Sequence, residues 1–144
     1  MSLFTTTSSI NANLARKLIE AGEEKLQEMG IASNIAIVDT QGFLITFLRM
    51  DGAQLPSIEH AINKGYTSAL FGAATASLSK DAEPGGSLYG LNITLNQRVI
   101  VFAGGEPLLH DGLLVGAVGV SGGMAEQDQQ VAGHVVQAFK DLVC

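Results

Sequence analysis

The sequence predicts an α+β fold in which helices cover an antiparallel sheet. Two turn signals support the antiparallel arrangement, because Asp39–Gly42 and Asp111-Gly112 each separate two apolar runs, as in β-hairpins. Helical periodicity occurs before, between and after these hairpins, without a repeated strand–helix–strand pattern. A chain of 144 residues that is 47% hydrophobic is long and apolar enough for one core. We therefore expect a tail over residues 1–8 and a single domain over residues 9–144.

In the first half of the chain, apolar residues recur at helical spacing over residues 9–29. Ser9 is a candidate N-cap for this helix, and Gly30 is expected to end it. Residues 34–38 form an apolar run typical of a buried strand, and residues 43–50 are expected to return antiparallel to it.

The second half of the chain begins with a helix whose inward stripe consists of small residues, which permit close packing. The predicted elements are, in order, a helix from Pro56 to about Ser77, an irregular segment over 78–97, a strand over 98–103, a bend over 104–107, a strand over 113–120 and a helix over 124–143. Irregular segments of roughly 20 residues are uncommon in compact domains unless they are functional. Residues 78–97 are therefore a candidate lid or interface segment.

Composition excludes several classes of protein. The chain has 8 basic and 14 acidic residues, and its cations are scattered, which argues against nucleic-acid binding. No run approaches the ~18 apolar residues of a membrane span. The single cysteine, Cys144, allows no internal disulfide, and Met1–Thr7 lack the features of a signal peptide, so we expect a cytoplasmic protein. Only 15% of residues are charged, against roughly 25% in typical domains, which suggests a subunit interface.

The segment Gly119–Gly123 matches the G-x-S-x-G nucleophile elbow and lies between a predicted strand and a predicted helix. In the order serine, acid, base, Asp128 and His134 would follow Ser121, but they lie near opposite faces of one helix. We therefore favour a strand-to-helix turn with Ser121 as N-cap. Alternatively, backbone N–H groups before the helix could bind a carboxylate or another polar ligand.

The three histidines His60, His110 and His134 are far apart in sequence and have no cluster of carboxylates or cysteines around them. Their spacing does not match a zinc site, so no built-in metal site is expected.

Lys64 stands out because it shares a side of its predicted helix with the small residues Ser57, Ala61 and Ser68, and His60 lies one turn before it. A buried lysine requires a carboxylate partner, and Asp39 and Asp51 are candidates. The cation could bind a ligand carboxylate, or it could form a structural ion pair or a surface contact. Arg49 at a predicted strand end has the same two interpretations, ligand binder or hairpin salt bridge.

Short motifs also occur in a characteristic order along residues 10–142. They are Ile35–Asp39, Gly42, Arg49–Gly52, Ser57, Ala61, Lys64, Gly104–Pro107, Asp111-Gly112, Val115–Gly123 and Gln127-Asp128. With this series the chain resembles the GlcG/HbpS-like family, which also includes the C-terminal domain of PduO-type cobalamin adenosyltransferases.

The resemblance implies a profilin-like α+β domain with a central antiparallel sheet and flanking helices. It also implies homo-oligomers, with dimers assembled into tetramers or octamers, and haem binding in some members. Haem binding in the family relies partly on a histidine near the N-terminal helix, whereas this chain has none before His60. An axial imidazole could instead come from His60 or His110.

The resemblance therefore points to a small-ligand-binding protein, accessory to glycolate, glycerol or diol utilisation. The ligand could be haem, a corrinoid or a small hydroxy or carbonyl metabolite. The alternatives are an accessory enzyme that uses Lys64 as a Schiff-base or carboxylate-binding group, or a partner of a diol-metabolising enzyme. We expect a pocket between subunits, partly closed by residues 78–97. Its candidate ligand-binding residues are Arg49, Asp51, His60, Lys64, Gly104, Gly105, Ser121 and Asp128.

Overall fold

A computed structural model describes residues 2–144, so Met1 of the predicted tail lies outside the described residues. The elements are α1 (Ala12–Met29), β1 (Asn34–Val38), β2 (Leu44–Arg49), α2 (Pro56–Phe71), α3 (Ser79–Ala82), β3 (Gly105–His110), β4 (Leu113–Ser121) and α4 (Ala125–Val143). The four strands form one sheet in the order β2-β1-β4-β3, and all neighbouring strands are antiparallel. The predicted α+β class with an antiparallel sheet is confirmed.

Helices cover both faces of this sheet. Ile35 and Ile37 of β1 belong to the main apolar cluster, together with residues of α1 and α4. The alternate residue Val38 packs instead with Ala69 of α2, because successive side chains of a strand point to opposite faces. The sheet therefore separates an α1–α4 layer from a layer formed by α2.

The α2 helix lies very close to the sheet, as its stripe of small residues predicts. A Cβ atom at Gly119 of β4 would overlap the backbone carbonyl of Ala61 and would lie 2.6 Å from the Gly65 nitrogen. Glycine is therefore required at this contact, which brings the α2 side chains directly over the end of β4.

The predicted first helix begins later than expected. The side chain of Asn11, not Ser9, accepts a hydrogen bond from the first turn of α1. The Ser9 hydroxyl instead accepts a bond from the Thr40 amide at 3.0 Å, which ties the N-terminal segment to the β1–β2 turn. Gly30 ends the helix in the left-handed conformation (φ 70°), as predicted.

The second half of the chain departs from the prediction at three points. The α2 helix ends at Phe71, because Gly72 is left-handed (φ 62°), rather than near Ser77. Residues 98–103 are not a strand; the Ile100 amide donates to the Thr67 hydroxyl at 3.0 Å. The strand is β3, which starts within the predicted bend, and it tolerates Pro107 because it lies at the sheet edge.

The segment over residues 78–97 contains more local structure than a plain loop. It includes α3 and a short 3₁₀ turn over Leu91–Ile93. The next residues, Leu95, Asn96 and Gln97, are all left-handed, with φ of 52°, 57° and 61°. This segment leads directly into the irregular stretch that precedes β3.

Candidate functional site

Lys64 and Asp128 form a buried ion pair at the end of β4. The Lys64 Nζ lies 3.1 Å from Asp128 Oδ2 and also donates to the Val120 carbonyl at 2.8 Å. Lys64 is 1% exposed and Asp128 is 4% exposed. Because Lys64 comes from α2 and Asp128 from α4, the pair joins the two helical layers around the end of the sheet.

The prediction of Asp39 or Asp51 as the partner of Lys64 is wrong. Asp39 accepts the amides of Gln41 and Phe43, both at 2.9 Å, and so closes the β1–β2 turn. Asp51 is exposed beyond the end of β2. Asp128 was predicted as a polar group of the site but not as this partner.

Glycines make room for the ion pair. A Cβ atom at Gly104 would lie 2.7 Å from Lys64 Nζ and would overlap the Val120 carbonyl. On the other side, the Gly123 amide donates to Asp128 Oδ1 at 2.9 Å. The ammonium and the carboxylate are therefore held by backbone groups as well as by each other.

Burial perturbs both ionisable groups in the direction of their neutral forms. It lowers the pKa of Lys64, and the charge and hydrogen bond of Asp128 oppose this shift. It also raises the pKa of Asp128, against the charge of Lys64 and the amides of Gly123 and Gly122. The mutual attraction thus offsets only part of the desolvation cost of bringing the two charges inside.

An aromatic side chain covers the ion pair. Lys64 Nζ lies 5.1 Å from the centroid of the Phe102 ring, a cation–π distance. Phe102 itself is 45% exposed. The His60 ring packs edge-on against the Phe102 ring, with 6.0 Å between the two ring centroids. Because Lys64 is 1% exposed, a ligand could reach it only after the groups around it moved.

The structure therefore brings together five of the predicted site residues, namely His60, Lys64, Gly104, Gly105 and Asp128. Gly105 belongs to this group because a Cβ there would lie 2.7 Å from the Lys64 carbonyl and 2.9 Å from the Ser68 hydroxyl. Phe102 is a contact that no sequence signal marked, since it follows an irregular segment without a clear period.

Ser121 is the last residue of β4 and is buried, opposite Asn34 of β1. Its carbonyl accepts a bond from the Asn34 side-chain amide at 3.2 Å. The prediction of Ser121 as N-cap of the last helix is wrong, because Met124 occupies that position and donates its amide to Gln127 Oε1 at 2.9 Å.

Arg49 and Asp51 are not brought to the ion pair. They line a separate groove of about 320 Å³ at the end of β2, with Glu23 and Gln27 of α1. Both side chains are exposed. The predicted site residues thus lie in two separate places on this chain.

The candidate lid lies beside Phe102. Ile93 and Gln97 line a cavity of about 280 Å³ together with Val99 and Phe102. Part of the predicted segment 78–97 is therefore next to the aromatic cover of the ion pair.

A second cavity of about 280 Å³ lies at the opposite end of β4, where α1 begins and α4 ends. We call it the hairpin groove because the β3–β4 hairpin forms one wall. Its lining residues are Ser8, Ser9, Ile10, Asn11, Leu14, His110, Val115, Phe139 and Val143. The groove is open and mainly apolar, and His110 contributes an imidazole whose side chain is 48% exposed. No sequence pattern marks this groove, because its walls come from distant parts of the chain.

Within residues 2–144, no three His, Cys, Asp or Glu side chains are grouped so that they could hold a metal ion. Over the same residues, no helix has the length and hydropathy required to cross a membrane.

Comparison with known proteins shows the family. The model of a family of haem degrading HbpS-like proteins matches residues 10–137, and this chain belongs to that HbpS-like family. A 15.0 kDa protein from the dhaT-dhaS intergenic region of Citrobacter freundii is 36% identical over 135 residues, which are 94% of this chain and 95% of the relative.

Two crystal structures closely resemble the fold. Protein ORFY of Klebsiella pneumoniae is 34% identical, with a TM-score of 0.95 and 97% of each chain covered. The PduOC:heme complex is 35% identical, with a TM-score of 0.87, and the match covers 90% of this chain and 94% of that one. These matches confirm the resemblance to the GlcG/HbpS-like family.

Proposed function

We propose that this protein binds haem, with a histidine imidazole as an axial ligand. The observation that carries the proposal is an apolar cavity with an imidazole at its rim, the hairpin groove with His110. Two comparisons support it: the family is that of haem degrading HbpS-like proteins, and a relative of similar fold crystallised as a haem complex.

The described residues fit the requirements of haem. An axial ligand is supplied in many haem proteins by a histidine nitrogen, and ligand pockets are mainly apolar with a few polar groups. His110 borders the hairpin groove, and His60 lies against the ring of Phe102, so two imidazoles adjoin apolar surface. When bound, haem would supply a redox-active iron; this chain would supply the axial nitrogen and the apolar contact.

A hemin titration tests this function. Added to the purified protein, hemin should give a shifted Soret band that saturates at a fixed ratio of haem to chain. A matched control replaces all three histidines by alanine, and it should give a different spectrum with weaker binding. A free-hemin spectrum with the unmodified protein would reject haem binding, and an identical spectrum with the control would reject an axial imidazole.

We further propose that the protein self-associates as a dimer, tetramer or octamer. Apolar side chains of the β1–β2 turn and the end of α2 are exposed close together, because a Cβ at Gly42 would meet Leu70. Phe43 is 70% exposed, and Leu44 and Phe71 are also exposed. Such patches usually mark association. Light scattering should give a multiple of 15.0 kDa, and a mass of one chain would reject self-association.

We also propose that the protein is cytoplasmic and is an accessory to glycolate, glycerol or diol utilisation. The family resemblance supports it. Deletion of the coding gene should slow growth on one of these carbon sources and not on glucose, and equal growth on all would reject this role.

A further inference from the structure

One half-buried cation of this chain has no carboxylate beside it. Three of the eight lysines and arginines are not exposed, namely Lys25, Lys64 and Arg98. Lys25 contacts Glu28 at 3.6 Å, and Lys64 contacts Asp128 at 3.1 Å. Arg98 forms no ion pair with any group of residues 2–144. Because taking a charge out of water without a partner costs free energy, this exception requires a reason.

The Arg98 guanidinium is held in place by two side chains of α2. Its Cζ lies 3.6 Å from the centroid of the Tyr66 ring, so the planar group packs on the face of the ring. Its Nε donates to Asn63 Oδ1 at 3.0 Å. The side chain is therefore ordered before a ligand arrives, and binding does not have to bear the entropy cost of ordering it.

The backbone around Arg98 is fixed to the same helix. The Thr67 hydroxyl lies 3.3 Å from the Arg98 carbonyl and accepts a bond from the Ile100 amide at 3.0 Å. Thr67 is fully buried, so this connection does not compete with water. The position of the guanidinium therefore depends on α2 and not on the irregular segment that precedes it.

These contacts leave several hydrogen-bond donors without an acceptor. They use the face and the Nε of the guanidinium, and its two terminal nitrogens donate to no group in the described part of the chain. The Asn63 side chain is bonded only through its oxygen; its nitrogen donates to nothing within residues 2–144, although Asn63 is 6% exposed. That nitrogen shares a carbon with the bonded oxygen, so it lies close to the guanidinium. Polar groups of nearly buried residues normally have a partner.

Unused donors around one cation favour an anionic ligand. The terminal nitrogens of an arginine present parallel N–H groups whose spacing matches the two oxygens of a carboxylate. A phosphate dianion would leave excess negative charge at a site with one cation, in a chain whose formal net charge is -6. A single carboxylate is neutralised by the guanidinium and is the better match.

We propose that Asn63, Tyr66 and Arg98 form a binding site for a small monocarboxylate. The terminal nitrogens of Arg98 contact both carboxylate oxygens, the Asn63 amide is a further donor, and Tyr66 keeps the guanidinium in position. The site lies on the α2 side of the sheet, whereas the hairpin groove lies between α1, α4 and the β3–β4 hairpin. It does not rest on haem binding, and failure of either proposal leaves the other standing.

A nuclear magnetic resonance titration with sodium acetate tests the site. Acetate replaces chloride at constant ionic strength, so that changes in screening do not move the signals. The Nε–H signal of Arg98 and the side-chain amide signals of Asn63 should shift and saturate in the millimolar range. The side-chain amide signals of Asn13, an exposed residue of α1, should stay in place. Absence of a saturable shift at Asn63 and Arg98 would overturn the proposal.

Sodium phosphate is the second probe and distinguishes the two classes of anion. At the same ionic strength it should shift the Asn63 and Arg98 signals less, and half-saturation should need a higher concentration than with acetate. Tighter binding of phosphate than of acetate would overturn the assignment of the site to a carboxylate.

A lysine at position 98 separates the shape of the cation from its charge. Arg98→Lys keeps the positive charge but removes the planar fork, so half-saturation should require at least about tenfold more acetate. Arg16→Lys, the same substitution at an exposed position of α1, should not change the titration. The Asn63 signals report binding in both variants. Equal affinity of the two variants would overturn the role of Arg98.

An aspartate at position 63 tests the site without changing the arginine. Asn63→Asp has the same shape and keeps an oxygen for Arg98 Nε, and circular dichroism establishes that the variant is folded. Its second oxygen replaces the free donor and places a negative charge beside the guanidinium, so the saturable acetate shift of the Arg98 signal should disappear. Asn13→Asp adds the same charge at an exposed position and should bind acetate like the unmodified protein. Equal acetate binding by the two aspartate variants would show that Asn63 only supports the fold and would overturn the site.

Discussion

The ion pair beside Phe102 and the hairpin groove lie at opposite ends of β4 and differ in what occupies the space around their polar groups. At the ion pair, the ammonium of Lys64 contacts the Asp128 carboxylate, the Val120 carbonyl and the Phe102 ring. At the groove, the imidazole of His110 borders an open cavity lined mainly by apolar side chains. The ammonium of the first region is enclosed by these contacts and joins the two helical layers, and the nearby cavity lies beside Phe102. At the second region the imidazole itself borders the cavity.

This difference implies that the two regions respond oppositely to substitution. Removing one partner of a buried ion pair leaves the other charge without compensation, so stability falls. Substituting a half-exposed residue at a groove rim changes few packed contacts, so binding changes and stability does not. The following predictions test this contrast, from the largest expected effect to the smallest.

Asp128→Ala should give the largest loss of stability. The substitution leaves the ammonium of Lys64 buried without a carboxylate, and breaking such a pair typically costs about 3–5 kcal/mol. Urea unfolding measures the loss. Asp141→Ala, at an exposed position of the same helix, is the control and should change the free energy of unfolding by less than about 0.5 kcal/mol. Equal stability of the two variants would show that the pair does not hold the layers together.

Gly104→Ala should destabilise the protein more than Gly112→Ala. Both glycines have positive φ, 123° and 76°, so both variants carry backbone strain. Only at Gly104 would the new Cβ also meet Lys64 Nζ and the Val120 carbonyl, and overpacking of this kind adds roughly 1–3 kcal/mol. At Gly112 no heavy atom lies within 4 Å. If the two variants unfold at the same urea concentration, the space at Gly104 is not needed for the ion pair.

Stability should depend on alkaline pH through Lys64. Burial lowers its pKa in the folded protein, while the unfolded chain keeps the ordinary value of 10.5. Between these two pKa values the unfolded state binds more protons, so the free energy of unfolding should rise with pH. The change is on the order of 1 kcal/mol for each unit of pKa shift.

The reference for this pH dependence is the double variant Lys64→Met/Asp128→Leu, which has no ionisable group at this place. Urea unfolding of both proteins between pH 8 and pH 10 should show the unmodified protein gaining stability relative to the double variant. A relative loss with rising pH would contradict the direction of the Lys64 shift.

Reductive trapping with an aldehyde should leave Lys64 unmodified, the smallest effect of the series. Lys64 is 1% exposed under Phe102, whereas Lys17, Lys80 and Lys140 are exposed and should react. Peptide mass spectrometry after borohydride reduction locates the adducts. An adduct at Lys64 in the folded protein, formed as fast as at Lys140, would favour an enzyme that uses this amine as a nucleophile.

Local signals predicted much of the fold. Gly42 and Gly112 were expected in hairpin turns, and both have positive φ, because turn chemistry depends on adjacent residues. The apolar run over residues 98–103 predicts a strand, but it pairs with no other strand of residues 2–144: only Val99 is buried, and the Ile100 amide donates to the Thr67 hydroxyl of α2. Apolar character alone does not distinguish a strand from a buried irregular segment.

The candidate site could be predicted only in part. The small residues around Lys64 on α2 indicate a special position but leave burial and a surface contact both open. Its partner Asp128 lies 64 residues later and meets it only because of the order of the strands. His110 was a candidate ligand from its chemistry, yet the groove beside it was not foreseen. A cavity is a property of how α1, α4 and the hairpin pack, and no single segment encodes it.

Nuclear magnetic resonance with added hemin tests the central claim most directly, because the paramagnetic iron broadens signals near it. We predict that the amide signals of Leu14, Val115 and Val143 broaden while those of Lys64 and Phe102 remain sharp. Broadening at Lys64 and Phe102, with sharp signals around the hairpin groove, would contradict the assignment of the ligand to the groove.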